Sequence, residues 1–422
     1  MSLLTTASLI VTPNAYKTSK LYSVVPSDGS GDMVFTRSTT ATRVNSAGLI
    51  ETVAINIPRI DYTDGGCPSI LVEPQRTNLA KNSQVFNTAF WNKDLTTVVD
   101  NSVTSPDGTI NAATLTETAG TGSHHIHETV GSFAPTISSS YTMSCFVKLP
   151  TTAAGRFVQL PFFIAGFGVN AYANFDLLNG VVGTLGSAIT SASIKSYTNG
   201  WYRISASAPA TATGLSGFQL SLITSASAVR TESYTVTAGN EKSILMWGTQ
   251  LELGGLETSY IPTTASTVTR NIDILGKTSA TALIGQTEGT IFLDFNRTRI
   301  QEGLKSLVQI YSNNATALIN LFTPNNVLTT FTVQIIVGGS TYSRTINLLD
   351  GRNKIAVVYN TTQTKIFLNG VEQSPIANVG IPVMDKIEIA HRVQTRQYGY
   401  VKTFALWKTQ VSGEDCIQLT TL

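Results

Sequence analysis

Short runs rich in Val, Ile, Thr, Tyr and Phe recur between Gly, Asn and Pro breaks along the whole chain, while the 3.6-residue period of an amphipathic helix is nearly absent. This punctuation constrains the fold more than any other feature. A long helix needs an unbroken periodic stretch that these breaks deny, so short strands are what mostly fits between them and the chain reads as all-β. Candidate strands include Tyr141–Lys148, Phe218–Ile223, Thr290–Phe295, Thr330–Val337, Lys354–Tyr359 and Gly399–Trp407. Together with their neighbours they exceed what a single sandwich holds. At 422 residues the chain has room for two or three domains, each with its own core.

The densest punctuation lies between Phe35 and Leu79, where Gly48, Pro58, Gly65, Gly66, Pro68 and Pro74 alternate with short apolar pairs. These extended pieces are too thinly apolar to close a core of their own. They are expected to lie on another domain or subunit, as an adaptor over residues 1–80. Arg37, Arg43, Arg59 and Arg76 are its candidate attachment residues, because a guanidinium offers a forked set of donors to a partner's carbonyls and carboxylates. Deleting residues 1–80 is then expected to leave the remainder folded.

Charged residues make up 13% of the chain, about half the roughly 25% usual for soluble proteins, and Thr, Ser, Asn and Gly take their place. A hydroxyl and amide surface suits carbohydrate and subunit packing. A net charge of +2 supplies no electrostatic footprint for nucleic acid. Cys67, Cys145 and Cys416 are far apart, odd in number and lack CxxC spacing, so neither a disulfide framework nor a zinc site follows from them. The opening residues lack the basic and cleavage features of a signal peptide, and no apolar run is long enough for membrane insertion by a helix.

The Phe35–Leu79 block also resembles the segment near the start of many bacteriophage fibre and spike proteins, where a pattern close to TRxNSxGxIExVxxNxPRxDYxxGxCPSLLxEPQRTNL precedes a β-sandwich. Residues 81–270 resemble the jelly roll, similar to carbohydrate-binding modules, that follows this block. The cues are Phe90-Trp91, the PDGT turn after Ser105, Asn174-Phe175-Asp176-Leu177, Asn199-Gly200-Trp201-Tyr202-Arg203, and Met246–Glu252 running into Ser259-Tyr260-Ile261-Pro262-Thr263. Residues 271–422 resemble a laminin-G or concanavalin-like lectin sandwich, through Glu288–Phe295, Lys354–Tyr359, Lys365–Val371 with its Asn369-Gly370 turn, and Phe404–Trp407. The resemblance implies an extended N-terminal adaptor followed by two β-sandwich domains, in a virion protein of a head or tail fibre. Its partners would be other virion proteins and bacterial surface polysaccharide; a homo-oligomer, first of all a homotrimer, is expected because the adaptor cannot close its own core and an adhesive fibre gains from repeated sites. It would be made in the host cytoplasm and displayed on the particle.

No catalytic residue is assigned, because glycoside hydrolysis normally needs two flanking carboxylates and Asp and Glu are scarce and scattered here. A tailspike-type depolymerase is the enzymatic alternative, with Asp294, Glu252 and Glu388 as its strand carboxylates. A purely structural decoration protein is the other. Phe162, Phe163, Phe167 and Tyr172 sit among glycines as sugar-stacking candidates, with core filling as the competing role. Trp201, Trp247 and Trp407 lie inside strand patterns and are expected in the core. His125 and His127 would fall on one face of a strand by alternation and could share an ion, yet only Glu128 is acidic nearby, so they are read as exposed-loop or receptor-facing polar residues. No cofactor is expected. A structural calcium is common in the jelly rolls this chain resembles, without ligands that the sequence names.

Overall fold

The structure, a computed structural model, describes all residues except 1–2, 129–132, 152–156, 298–304, 313–315, 325–328, 390, 393–394 and 397–398. It is nearly all β, and it divides into two compact units. Unit 1 comprises Met1–Ser46, Thr52–Gln75 and Asn271–Leu422; unit 2 comprises Ala47–Glu51 and Arg76–Arg270. No helix among the described residues is long and apolar enough to cross a membrane.

Unit 1 is built on one long antiparallel path of strands that folds over its own core. The path begins Ser340–Asn347, Thr330–Val337, Leu318–Thr323, Lys305–Tyr311, Lys386–Ile389, Ile274–Lys277 and Met33–Thr36. It continues through Lys20–Val25, Leu9–Lys17, Gly399–Trp407, Glu288–Arg297, Gly351–Asn360, Gln363–Leu368 and Val371–Ala377. Its two halves face each other as layers, since Phe295 stacks on Phe331 with ring centroids 5.7 Å apart although their strands are distant along the path. The hairpin between Gln363–Leu368 and Val371–Ala377 turns on Asn369 and Gly370, both at positive φ (50° and 81°), which is why Asn-Gly serves there. Outside the sandwich, the helix Gly413–Thr420 starts where Ser412 Oγ accepts from the Asp415 amide. It buries Cys416 with Phe292, Phe367 and Trp407.

The expected adaptor is instead an integral part of this sandwich. Leu9–Lys17 pairs with Gly399–Trp407, Met33–Thr36 pairs with Ile274–Lys277, and Ser69–Val72 pairs with Gly399–Trp407. Leu9, Val11, Leu21, Met33, Phe35, Ile60, Ile70 and Val72 are all buried in the same core as Ile291, Phe331 and Phe404. The segment has no core of its own and instead completes the one that residues 271–422 supply in larger part. Its arginines are spent internally as well. Arg37 and Arg59, both with fully buried side chains, clamp Asp273: Arg37 Nη1 lies 2.9 Å from Oδ1, and Arg59 Nη2 bonds Oδ2. Arg59 Nη1 also reaches Glu73 Oε2 at 2.6 Å. Burial pushes the Arg59 pKa down, but Asp273 and Glu73 outweigh it and hold the guanidinium charged. Arg43 donates to the Tyr16 hydroxyl and packs its guanidinium over that ring. In unit 2, Arg76 Nε is 3.8 Å from Glu252 Oε2. Arg37 and Arg59 are therefore inaccessible to an attachment partner.

Unit 2 is a sandwich of two six-stranded sheets. One runs Thr96–Thr104, Ile110–Glu117, Ser243–Leu253, Ser140–Lys148, Tyr202–Pro209, Ser191–Ser196. The other runs Val181–Leu185, Tyr172–Asp176, Phe157–Pro161, Gln219–Ile223, His124–Glu128, Trp91–Asp94. Between them lie Trp91, Met143, Cys145, Val158, Phe175, Leu220, Leu222 and Ile126, all at most 1% exposed. Each such large side chain contributes roughly 1.5–3 kcal/mol by leaving water. Trp201, Trp247 and Trp407 are buried, as their strand positions led us to expect.

Candidate functional site

Because Ile126, Val158, Phe175, Leu220 and Leu222 point into the core of unit 2, period-2 alternation sends their neighbours to the outer face of the same sheet. The registers then align a polar row across it. Asp94 stands opposite His125, His125 opposite Ser221, Ser221 opposite Gln159, and Gln159 opposite Asn174. A second row sets Asn92 opposite His127 and His127 opposite Gln219. At one end the Gln159 and Asn174 amides are covered by the loop after Ile223: Asn174 Nδ2 donates to Ala228 O, Gln159 Nε2 donates to Val229 O and Gln159 Oε1 accepts from the Thr231 amide. At the other end the row opens to solvent.

The open end gathers Asp94, His125 and His127. Asp94 Oδ2 lies 3.0 Å from His125 Nε2 and 3.2 Å from His127 Nδ1, and its side chain is 53% exposed against 17% and 21% for the two imidazoles. The far ring nitrogens face Ser123 Oγ at 3.2 Å (His125 Nδ1) and Asn92 Nδ2 at 3.3 Å (His127 Nε2). Burial lowers the pKa of both histidines; Asp94 opposes this in each, and at His125 the neighbouring His127 adds to the lowering. Both imidazoles are thus favoured neutral. Among the described residues this is the only set of three His, Cys, Asp or Glu side chains with ligand atoms within 4.8 Å of one another. Two nitrogens and an oxygen suit a transition metal rather than calcium, which prefers an all-oxygen shell.

The aromatic candidates divide. Phe163 is half-buried and sets its ring 6.0 Å from that of His127, nearly edge-on, so it borders the histidine cluster. Tyr172 is half-buried and shares the outer face with Asn174 two residues on. Phe162 and Phe167 are core residues, each 1% exposed, with ring centroids 4.7 Å apart. The short helix Ile164–Phe167 turns the chain so that both rings drop into the sandwich, leaving neither for a sugar. His125 and His127 do share a face, whereas the acidic neighbour named from the sequence, Glu128, is fully buried on the opposite one. The acidic partner at the cluster is Asp94. Alternation alone could not find it, because it arrives on a separate strand.

The strand carboxylates of the enzymatic alternative are occupied structurally. Glu252 is fully buried, accepts from the Thr258 amide and hydroxyl and from Gln250, and burial raises its pKa. Asp294, in unit 1, takes a two-pronged bond from Arg352 at 2.9 and 2.6 Å. Glu388, also in unit 1, accepts from the Tyr311 hydroxyl at 2.8 Å.

No protein-family model matches the sequence, and no curated protein does. Solved structures with partial likeness include the CBM40 module of a Ruminococcus gnavus IT-sialidase bound to α2,3-sialyllactose, at 14% identity and TM-score 0.29 over 33% of this chain and 84% of that one. The NanB sialidase from Streptococcus pneumoniae matches at 14% identity and TM-score 0.30 over 35% of this chain and 26% of that one. The binding domain of botulinum neurotoxin DC, in complex with rat synaptotagmin II, matches at 10% identity and TM-score 0.30 over 35% and 40% of the two chains. Likeness at this level says nothing of what this chain binds.

Proposed function

We propose that this protein is a bacteriophage fibre or spike subunit that adheres to bacterial surface glycans without cutting them. The observation that carries the reading is the open end of the outer face of unit 2, where the Asn92 amide, the His125 and His127 imidazoles and the Asp94 carboxylate reach solvent beside Phe163, while Gln159, Asn174 and Ser221 lie buried further along the row. Sugars are recognised by such a mixture, polar groups meeting hydroxyls and aromatic rings meeting the apolar face of the pyranose. The resemblance of the Phe35–Leu79 block to phage fibre proteins supplies the virion setting, and the low charge of the chain fits a glycan partner. Single contacts of this kind are weak. Several copies on one particle, a homotrimer in the first instance, raise the effective concentration without new contacts. Unit 1, which contains most of the fibre-like block, is the side that meets other virion proteins.

The test is retention of the full-length protein on host-envelope polysaccharide, with chain length followed in parallel. Adhesion predicts retention that Phe163→Ala and Tyr172→Ala weaken, with the polysaccharide unshortened. Release of short products would favour a depolymerase. Absence of retention at high avidity would favour a decoration protein whose sandwiches bind only virion subunits, and labelling of intact particles would show where it stands.

A further inference from the structure

We infer that Asp94, His125 and His127 form a binding site for a divalent transition metal, with Zn²⁺ as the ion that fits the ligand set. The inference goes beyond adhesion and does not rest on it. Zinc sites that keep an open position commonly use three protein ligands drawn from imidazoles and a carboxylate, with water completing the tetrahedron. Bonds of about 2.0–2.2 Å place tetrahedral ligands roughly 3.3–3.5 Å apart. The two separations from Asp94 Oδ2, 3.0 and 3.2 Å to the ring nitrogens, need only a small opening, and all three ligand atoms lie within 4.8 Å of one another.

Three further observations favour a metal over an ordinary surface ion pair. His127 Nδ1 is enclosed and makes no hydrogen bond of proper geometry, although Asp94 Oδ2 is 3.2 Å away. A metal would satisfy that atom directly. The ligands also stand on paired strands rather than on a loop: His125 and His127 are two residues apart on one strand, and Asp94 is the register partner of His125 on the next. Such a frame holds the three groups together before any ion arrives. Finally, each imidazole has an outer partner at its other nitrogen. The Ser123 hydroxyl can accept from His125 Nδ1, which leaves Nε2 for a metal, whereas the Asn92 amide, which here turns its Nδ2 to His127 Nε2, must turn over to accept from that nitrogen and leave Nδ1 for a metal. Because Asp94 is half exposed, the remaining coordination positions face solvent and can take water or an oxygen ligand.

The experiment uses the full chain, stripped with chelator and titrated with Co²⁺ and then Zn²⁺ alone. One equivalent of Co²⁺ should give visible absorption of tetrahedral or five-coordinate intensity, and Zn²⁺ should abolish it. Asp94→Ala and His127→Ala should each weaken Zn²⁺ binding at least tenfold, while Cys67→Ser, at the exposed thiol, should leave it unchanged. Asp94 is exposed enough that its removal should keep the metal-free melting curve, so a loss of binding in that variant reports the site rather than the fold. No cobalt spectrum and no zinc binding by the wild-type chain at micromolar metal would overturn the assignment. Unaltered binding in Asp94→Ala and His127→Ala would overturn it equally.

Discussion

Two clusters of ionisable side chains, one in each unit, show how burial decides what similar chemistry does. In unit 1, Arg37, Arg59, Glu73 and Asp273 are sealed from water and bonded to one another, with the Thr39, Ala54 and Thr42 carbonyls taking further guanidinium donors. In unit 2, Asp94, His125 and His127 meet at similar distances but at the rim of a sheet, with a carboxylate half in solvent. The first cluster holds distant parts of the chain in one sandwich and can exchange its partners with nothing. The second can trade a proton or a neighbour for an incoming ligand. Permanent charge with full burial makes a clamp; titratable charge with partial exposure makes a site.

The hardest blow to this contrast is a deletion. Removing residues 1–75 takes away the strands between Gly399–Trp407 and Ile274–Lys277 and leaves Asp273 buried without its arginines. The remaining chain should lose cooperative folding of unit 1 and aggregate, as light scattering and calorimetry would show. A soluble, sharply melting product would restore the separable adaptor. Next in size is Asp273→Ala, which leaves buried Arg37 without its carboxylate and Arg59 with Glu73 alone, and should cost about 3–5 kcal/mol in denaturant unfolding of unit 1. Asp94→Ala should cost far less. If the two losses were equal, burial would not be what separates the clusters.

Within unit 2, Phe162→Ala opens the core and should destabilise by roughly 3–5 kcal/mol, whereas Phe163→Ala should leave stability nearly unchanged and act on ligand retention. The smallest effect is pH dependence. Both histidines have folded pKa values below the unfolded reference of about 6.5, so between the two values the unfolded chain binds more protons. Their stabilising contribution is therefore present above about pH 6.5 and lost as pH falls below it. Urea midpoints should drift downward for unit 2 in that window, and His125→Gln with His127→Gln should flatten the drift. Arg59 stays charged there and contributes no slope.

Local chemistry was enough for much of this protein. Breaks every few residues ruled out long helices, so the all-β class was legible, and alternation placed His125 and His127 together and Trp201, Trp247 and Trp407 inside. These properties depend on neighbours in sequence and on a period of two. Strand pairing does not. That Leu9–Lys17 lies against Gly399–Trp407, that Arg37 and Arg59 turn inward to Asp273, and that Asp94 stands beside His125 are matters of register between remote segments. A one-residue slip in any of them would put each side chain on the other face, and nothing local forbids the slip. Only the closing of both sandwiches over their cores selects the register, and with it which charges become a clamp and which remain open to a ligand.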